Sequence, residues 1–202
     1  MFRHAIRAMF WTILRFIYRI DIHRDKYIPK QGAAILTPNH VSYIDAILIS
    51  SHIRRPVRFA MHWKIYNSLK WLVAHMGAFP IAGKEENKEI YDQAFMIMSE
   101  TLKAGKLVCI FPEGMLTRDG QMNPFRNGIM KILENNPVPV IPIALTGLWG
   151  SYFSRKKDGI FKLPDHFMAK IRMIVGKPLH NLSDISLLES EVKKLLEVGE
   201  RL

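Results

Sequence analysis

His40 and Asp45 stand five residues apart in Asn39-His40-Val41-Ser42-Tyr43-Ile44-Asp45, and together they offer a proton-transfer pair. Histidine titrates near neutrality, so its imidazole can take a proton from a hydroxyl when a carboxylate orients the ring and offsets the imidazolium charge. A five-residue spacing does not share one helical face. It therefore predicts that Val41 to Ile44 turn from loop into helix, carrying a first-turn carboxylate back toward a histidine just before that helix. Asn39 is placed to brace the turn through its side-chain amide, and Ser42 to cap the helix. The blander reading is a loop histidine beside a helix N-terminal acid. A serine-hydrolase triad is disfavoured, because His40, Ser42 and Asp45 are too close in sequence to line up and no Gly-x-Ser-x-Gly elbow exists.

A second polar corner, Phe111-Pro112-Glu113-Gly114, follows the apolar run from Leu107. Glu113 should emerge at a strand end, where a polyol hydroxyl or a backbone amide can meet it, and Gly114 permits close approach. Downstream, Thr117, Arg118 and Arg126 supply a hydroxyl and two guanidiniums suited to gripping a phosphate. The competing reading of this stretch is a solvated Arg118-Asp119-Gly120 turn. No His-Glu-x-x-His or Cys-x-x-Cys spacing occurs, so no metal is expected. The lone Cys109 reads as a small buried hydrophobe, which suits a reducing compartment.

These corners need strands behind them. Buried strands are expected at Ala33–Thr37, Val57–Met61 and Leu107–Phe111, an extended run at Gly77–Ile81, and alternation from Ala169 to Val175. Val138–Leu145 is a further apolar strand, whose Pro139 and Pro142 suggest a bulged or edge position. Helical spacing covers 42–53, 65–76, 86–103 with Gly105 as its C-terminal cap, 124–134 and 186–198. The longest irregular stretch is 147–164, with the Arg155-Lys156-Lys157 cluster, and such loops often carry ligand contacts. Strands alternating with helices predict a single α/β domain with a largely parallel central sheet flanked by helices, and a site at the strands' carboxyl ends. A chain of 202 residues with 49% hydrophobic content supports one such core.

The net charge of +11 attracts anions, and it is concentrated at one end. Residues 1–30 hold seven Lys/Arg against two acids. At 100° per residue, Phe2, Ala5, Ile6, Met9, Phe10, Ile13, Phe16, Ile17 and Ile20 share one side of a helix, with Arg3, Arg7, Arg15 and Arg19 on the other beside Trp11 and Tyr18. The arginines interrupt the run too often for a signal peptide or a membrane span. The pattern predicts an amphipathic helix lying in a bilayer interface, with Arg3, Arg7, Phe10, Trp11, Arg15, Phe16 and Arg19 docking on an anionic membrane surface. The alternative is a helix packed on the domain's own core. Residues 1–28 are thus set apart as a docking helix, and 29–202 as the domain.

Four blocks in order, Asn39-His40-(four residues)-Asp45, Gly77-Ala78-Phe79-Pro80-Ile81, Phe111-Pro112-Glu113-Gly114 and Val138-Pro139-Val140-Ile141-Pro142, resemble the glycerolipid and lysophospholipid acyltransferase family. The resemblance spans roughly residues 33–146. It implies transfer of a fatty acyl group from acyl-CoA or acyl carrier protein to a lysophospholipid hydroxyl, typically of 1-acylglycerol 3-phosphate to give phosphatidic acid. Those thioesters would be co-substrates, with no bound cofactor and no nucleic-acid partner, on the cytoplasmic face of a membrane. By position, His40 would be the base and Asp45 its orienting acid, with Asn39, Glu113, Gly114, Thr117, Arg118, Arg126 and Lys84 around the substrate.

Two departures mark this chain. Met115-Leu116 stand between Glu-Gly and Thr-Arg, and Gly83 with Lys84 beside it replaces the usual arginine of the second block. Together with Arg126 in Pro124-Phe125-Arg126-Asn127-Gly128, they resemble acyltransferase domains acting on other lysophospholipids, including 2-acylglycerophosphoethanolamine. Two further alternatives are a transacylase drawing its acyl chain from a phospholipid, and a non-catalytic basic module binding membrane or nucleic acid.

Overall fold

A computed structural model describes residues 2–156 and 168–202, with side chains from residue 5 onward. Among these residues, seven strands form one sheet: β1 (Arg19–His23), β2 (Ala34–Pro38), β3 (Val57–His62), β4 (Ala78–Ile81), β5 (Leu107–Cys109), β6 (Val140–Thr146) and β7 (Lys170–Val175). Their order is β1-β7-β6-β2-β5-β3-β4. All neighbours run parallel except β6 and β7. Every residue of β2 and β5 is buried, which explains why these strands are continuous apolar runs and not alternating ones.

Among the described residues, seven α-helices cover the sheet: α1 (Phe2–Ile17), α2 (Asp45–His52), α3 (Trp63–Ser68), α4 (Lys70–Met76), α5 (Lys88–Lys103), α6 (Gly128–Asn135) and α7 (Ile185–Arg201). Leu14, Leu48, Ile49 and Val73 pack α1, α2 and α4 onto one face with Ala34 and Leu36. Ile35, on the opposite side of the pleat, packs with Ala94, Met98 and Ile132 of α5 and α6, and α7 joins that face through Leu188 and Val192. The connection leaving β2 passes over β5 to β3, while the one leaving β5 passes over β2 to β6. Connections that diverge in this way open a crevice at the carboxyl ends of β2 and β5.

Several elements differ from expectation. α1 ends at Ile17, and Arg19–His23 forms a strand pairing with β7 in the same sheet, because Ile20 and Ile22 alternate with polar residues at period two. Tyr18 is consequently buried in the core and not on an arginine face. Arg7 does not point outward either: it is part-buried and its guanidinium donates to the Ile53 carbonyl. Arg15 lies over the Trp11 ring at 4.8 Å, and Arg19 sits in β1, its N–H bonded to the Ala169 carbonyl. Arg3 falls outside the described side chains. Ile6 and Leu14 face the domain, while Met9, Trp11, Ile13 and Phe16 are exposed, so α1 packs on the core along one strip and presents a second apolar strip outward.

β6 is central, not an edge strand. Two of its residues, Ile141 and Pro142, stand opposite three, Gly176 to Pro178, between the pairs Val140↔Leu179 and Ile143↔Val175, so Pro142 falls in a bulge where no ladder amide is required. The helix expected over 65–76 breaks at Leu69 into α3 and α4. The one expected from Pro124 begins only at Gly128, because the N–H groups of Asn123, Phe125 and Arg126 are engaged by Glu113, Glu189 and the Pro112 carbonyl. Gly105 does cap α5, at φ 69° with its N–H on the Leu102 carbonyl.

Candidate active site

Pro38 ends β2, and the chain enters the crevice at Asn39-His40. Asp45, the first residue of α2, reaches back across the turn: its Oδ2 meets His40 Nδ1 at 2.8 Å and accepts the N–H groups of Val41 (2.8 Å) and Ser42 (2.9 Å). A carboxylate held by two backbone amides cannot swing, so the ring it faces is fixed as well. Asp45 is fully buried and its Oδ1 has no hydrogen-bond partner, which makes the imidazole its principal source of charge compensation. With Nδ1–H donated to the acid, Nε2 is left carrying a lone pair. The His40 side chain is 23% exposed, enough to meet a ligand, and its ring stacks on Phe111 at 4.0 Å.

The second corner supports the first. Glu113 is buried; its Oε1 accepts the His40 backbone N–H at 2.6 Å, and its Oε2 accepts the N–H and the side-chain amide of Asn123 at 2.7 and 2.9 Å. Burial pushes its carboxyl above the ordinary glutamate range, against the hydrogen bonds from Asn123 and His40 that pull it down. Both oxygens are thus committed within the protein, and the expected contact with substrate is replaced by a brace on the His40 backbone. Thr117 has the same character: buried, it donates its N–H to the His40 carbonyl (3.0 Å), and its hydroxyl is engaged with Asp119 and the Gly120 N–H.

Asn39 also departs from the substrate-binding expectation. It is buried and pairs with both backbone groups of Leu145, accepting at 2.7 Å and donating at 3.1 Å, so it ties the end of β2 to β6. Ile44 occupies the cap position without a side-chain bond of its own; the Ser42 hydroxyl accepts the Ile44 N–H at 3.5 Å, a long capping contact, and donates to the Phe153 carbonyl at 2.9 Å. That contact couples the His40–Asp45 turn to the segment after β6. Ser151 in the same segment receives the Tyr18 hydroxyl at 3.3 Å. Of the basic cluster there, Lys157 lies outside the described residues.

The exposed basic groups are arranged differently. Arg126 folds its side chain onto Gly114, where an added Cβ would come within 3.1 Å of Nε; with φ at +69° as well, only glycine suits this position. The guanidinium therefore lies directly beyond the Glu113 brace. Arg118 is exposed and follows the Thr117 that bonds His40. Lys84 is exposed beyond the carboxyl end of β4, three strand positions from β2, or roughly 14 Å along the rim. Cys109 is buried beneath the site, and burial, then Asp45, pushes its thiol well up, so it supplies no thiolate nucleophile.

Sequence reasoning missed Asn123 and gave Phe111 no role of its own. The Asn123-Pro124 dipeptide was the available signal, since Asn-Pro favours turn initiation. Nothing in the sequence marks the Phe153 carbonyl.

Residues 19–146 match the family described as Acyltransferase. The chain is 26% identical over 200 residues to the chloroplastic 1-acyl-sn-glycerol-3-phosphate acyltransferase BAT2 of Brassica napus, covering 97% of this chain and 56% of that protein. It is 26% identical over 183 residues to the chloroplastic 1-acyl-sn-glycerol-3-phosphate acyltransferase LPAT1 of Arabidopsis thaliana, covering 89% and 49%. The chain thus spans about half the length of these relatives. In fold it is similar to the crystal structure of the 1-acyl-sn-glycerophosphate acyltransferase PlsC from Thermotoga maritima, with a TM-score of 0.71, 18% identity, and coverage of 98% of this chain and 77% of that one.

Proposed function

The chain belongs to the Acyltransferase family, and from that premise we propose that it transfers a fatty acyl group from acyl-CoA or acyl carrier protein to the free hydroxyl of 1-acyl-sn-glycerol 3-phosphate, giving phosphatidic acid. The observation that carries this reading is the His40 Nδ1 to Asp45 Oδ2 contact at 2.8 Å in a crevice at the strand ends. His40 Nε2 takes the proton of the acceptor hydroxyl as its oxygen attacks the thioester carbonyl. The tetrahedral oxyanion then collapses, the C–S bond breaks, and the imidazolium returns its proton to the departing thiolate. Asp45 offsets the imidazolium charge between the two steps. No covalent acyl-enzyme and no bound cofactor enters this route, because the acceptor hydroxyl is itself the nucleophile.

Arg126, laid over Gly114 beside the Glu113 brace, is the favoured partner for the acceptor's phosphate, with Arg118 near it and Lys84 farther along the rim. The second reading, acylation of 2-acylglycerophosphoethanolamine, is favoured by Met115-Leu116, which displace Thr117 and Arg118 from Gly114. A peripheral position on the cytoplasmic face of a membrane, through the outer strip of α1, completes the proposal. The test offers acyl-CoA and acyl carrier protein thioesters with both lysolipids to wild-type protein and to His40→Ala. Lysophosphatidate acylation lost in the variant supports the proposal. Undiminished turnover in the variant refutes the mechanism, preference for the ethanolamine lipid selects the second reading, and turnover without thioester indicates a transacylase. Vesicle or oligonucleotide binding with no acylation at all would leave only a non-catalytic basic module.

A further inference from the structure

The outer surfaces of the two helical layers differ in a way that catalysis does not require. α5 and α7 carry acids and bases in water-facing pairs, Lys88 with Asp92, Lys193 with Glu189 and Lys194 with Glu191. α1, α3 and α4 contain no Asp or Glu. They expose apolar bulk instead: Phe16 is 78% and Trp71 70% exposed, with Ile65 and Leu69 also in solvent. α1 and α4 pack against each other, and α3 against α4, so the strip on α1 continues onto the crossover between β3 and β4. A contiguous apolar area of this kind is uncommon on a water-soluble surface and marks a place of contact.

We propose that the α3–α4 crossover is a second membrane-seating element, inserting Ile65, Leu69 and Trp71 into an anionic lipid leaflet beside α1. Its basic residues favour that occupant over another protein's apolar face. Lys70 has no acidic partner among the described residues, and Lys64, which pairs with Glu86 at 3.4 Å, lies over the Trp63 ring at 5.4 Å. Lysines flanking an aromatic and aliphatic strip, with no acid on the helices that bear it, match the layering of phosphates above acyl chains. α3 starts directly at the carboxyl end of β3, on the rim that holds His40. Seating the crossover therefore sets the mouth of the crevice at the interface, where a lysolipid can enter without leaving the leaflet. Two seating points also fix the tilt of the domain, which one helix cannot do.

This inference rests on the proposed lipid-acylating reading, but its test scores binding separately from turnover. Full-length protein is sedimented with vesicles of phosphatidylglycerol and phosphatidylcholine, comparing wild type, the triple variant Ile65→Ser/Leu69→Ser/Trp71→Ser, and Met96→Ser, an exposed position on α5, as control. The triple variant should lose roughly 10-fold or more in vesicle partitioning with an unchanged melting transition, and the control should match wild type. Turnover of a short-chain, water-soluble acceptor should persist in the triple variant while that of a vesicle-embedded acceptor falls. As a check that does not depend on the triple variant folding, brominated acyl chains should quench tryptophan emission less in Trp71→Phe than in wild type. Undiminished partitioning or unchanged quenching overturns the proposal. So does a wild-type dimer that the triple variant splits without change in vesicle binding, which would make this face a contact between copies.

Discussion

His40 and Arg126 lie on the same rim, yet they are held in opposite ways. Around His40, the ring nitrogen, the backbone N–H and the backbone carbonyl are each bonded, to Asp45, Glu113 and Thr117, and those three residues are themselves buried. Arg126, Arg118 and Lys84 are exposed and have no acidic partner among the described residues. The inner half is assembled before any ligand arrives. The outer half has positive charge in place without an acid to fix its geometry. Proton transfer tolerates little positional error, whereas phosphate capture by a long, charged side chain tolerates much. Under the proposed function, loss of the inner residues should lower turnover and loss of the outer ones should weaken substrate affinity.

The largest effects should come from the inner half. His40→Ala should lower kcat by on the order of 10³-fold, the typical worth of a positioned general base, with KM close to wild type in steady-state assays. Asp45→Asn should lower kcat by about 10²-fold, because an amide can still accept the Val41 and Ser42 N–H groups but no longer offsets the imidazolium. A variant in which KM rose while kcat held would break the assignment.

Glu113→Gln sharpens it, since Glu113 touches the base only through the backbone. Its kcat should fall about 10-fold, as the Asn123 N–H loses its acceptor to a donor amide and the His40 loop loosens. Stability gives a second readout with a defined sign. The native carboxyl titrates above its ordinary value because it is buried, so the folded state holds that proton more tightly than the unfolded chain. The associated stabilisation is fully present below the ordinary glutamate pKa and is lost as pH rises through the raised one. Denaturation curves from about pH 4 upward should therefore show the stability of wild type relative to the glutamine variant falling with pH across that window. A constant difference would mean that Glu113 is not desolvated as the fold implies.

The contrast between the halves also explains what the sequence made legible. β2 and β5 are evident because strands buried on both faces must be apolar throughout, and the His40–Asp45 pair because its spacing forces a loop-to-helix turn. The five-residue β1 reads in sequence as part of the preceding helix, since Ile17 and Ile20 satisfy a helical period as readily as Ile20 and Ile22 an extended one over so short a run. The inner supports of His40 were hidden for a different reason. Glu113, Asn39 and Thr117 act on backbone groups of His40 and Leu145, and backbone amides are the same at every position, so no residue type announces the partner. Their polar side chains resemble those of ligand-binding residues, which is why sequence placed them around the substrate.

The smallest effects, and the sharpest test of the outer half, should come from the two arginines. Arg126 lies over Gly114, so its fork sits at the mouth of the crevice; Arg118 is carried by the turn after Thr117 and lies farther from that glycine in sequence. Arg126→Ala should raise the KM for a phosphate-bearing acceptor about 10-fold, equivalent to the lower end of a charged hydrogen bond's net worth, with kcat little changed. Arg126→Lys should recover only part of it, because a point charge replaces a planar fork, and Arg118→Ala should cost less, about 3-fold, within the range of an exposed charge contact. Raising ionic strength should raise KM in wild type and flatten its difference from Arg126→Ala, since exposed charges are screened over about 10 Å at 0.1 M salt. If Arg126→Ala instead lowered kcat at constant KM and without salt dependence, the guanidinium would be acting on the transition state, and the boundary between the two halves would have to move outward past Gly114.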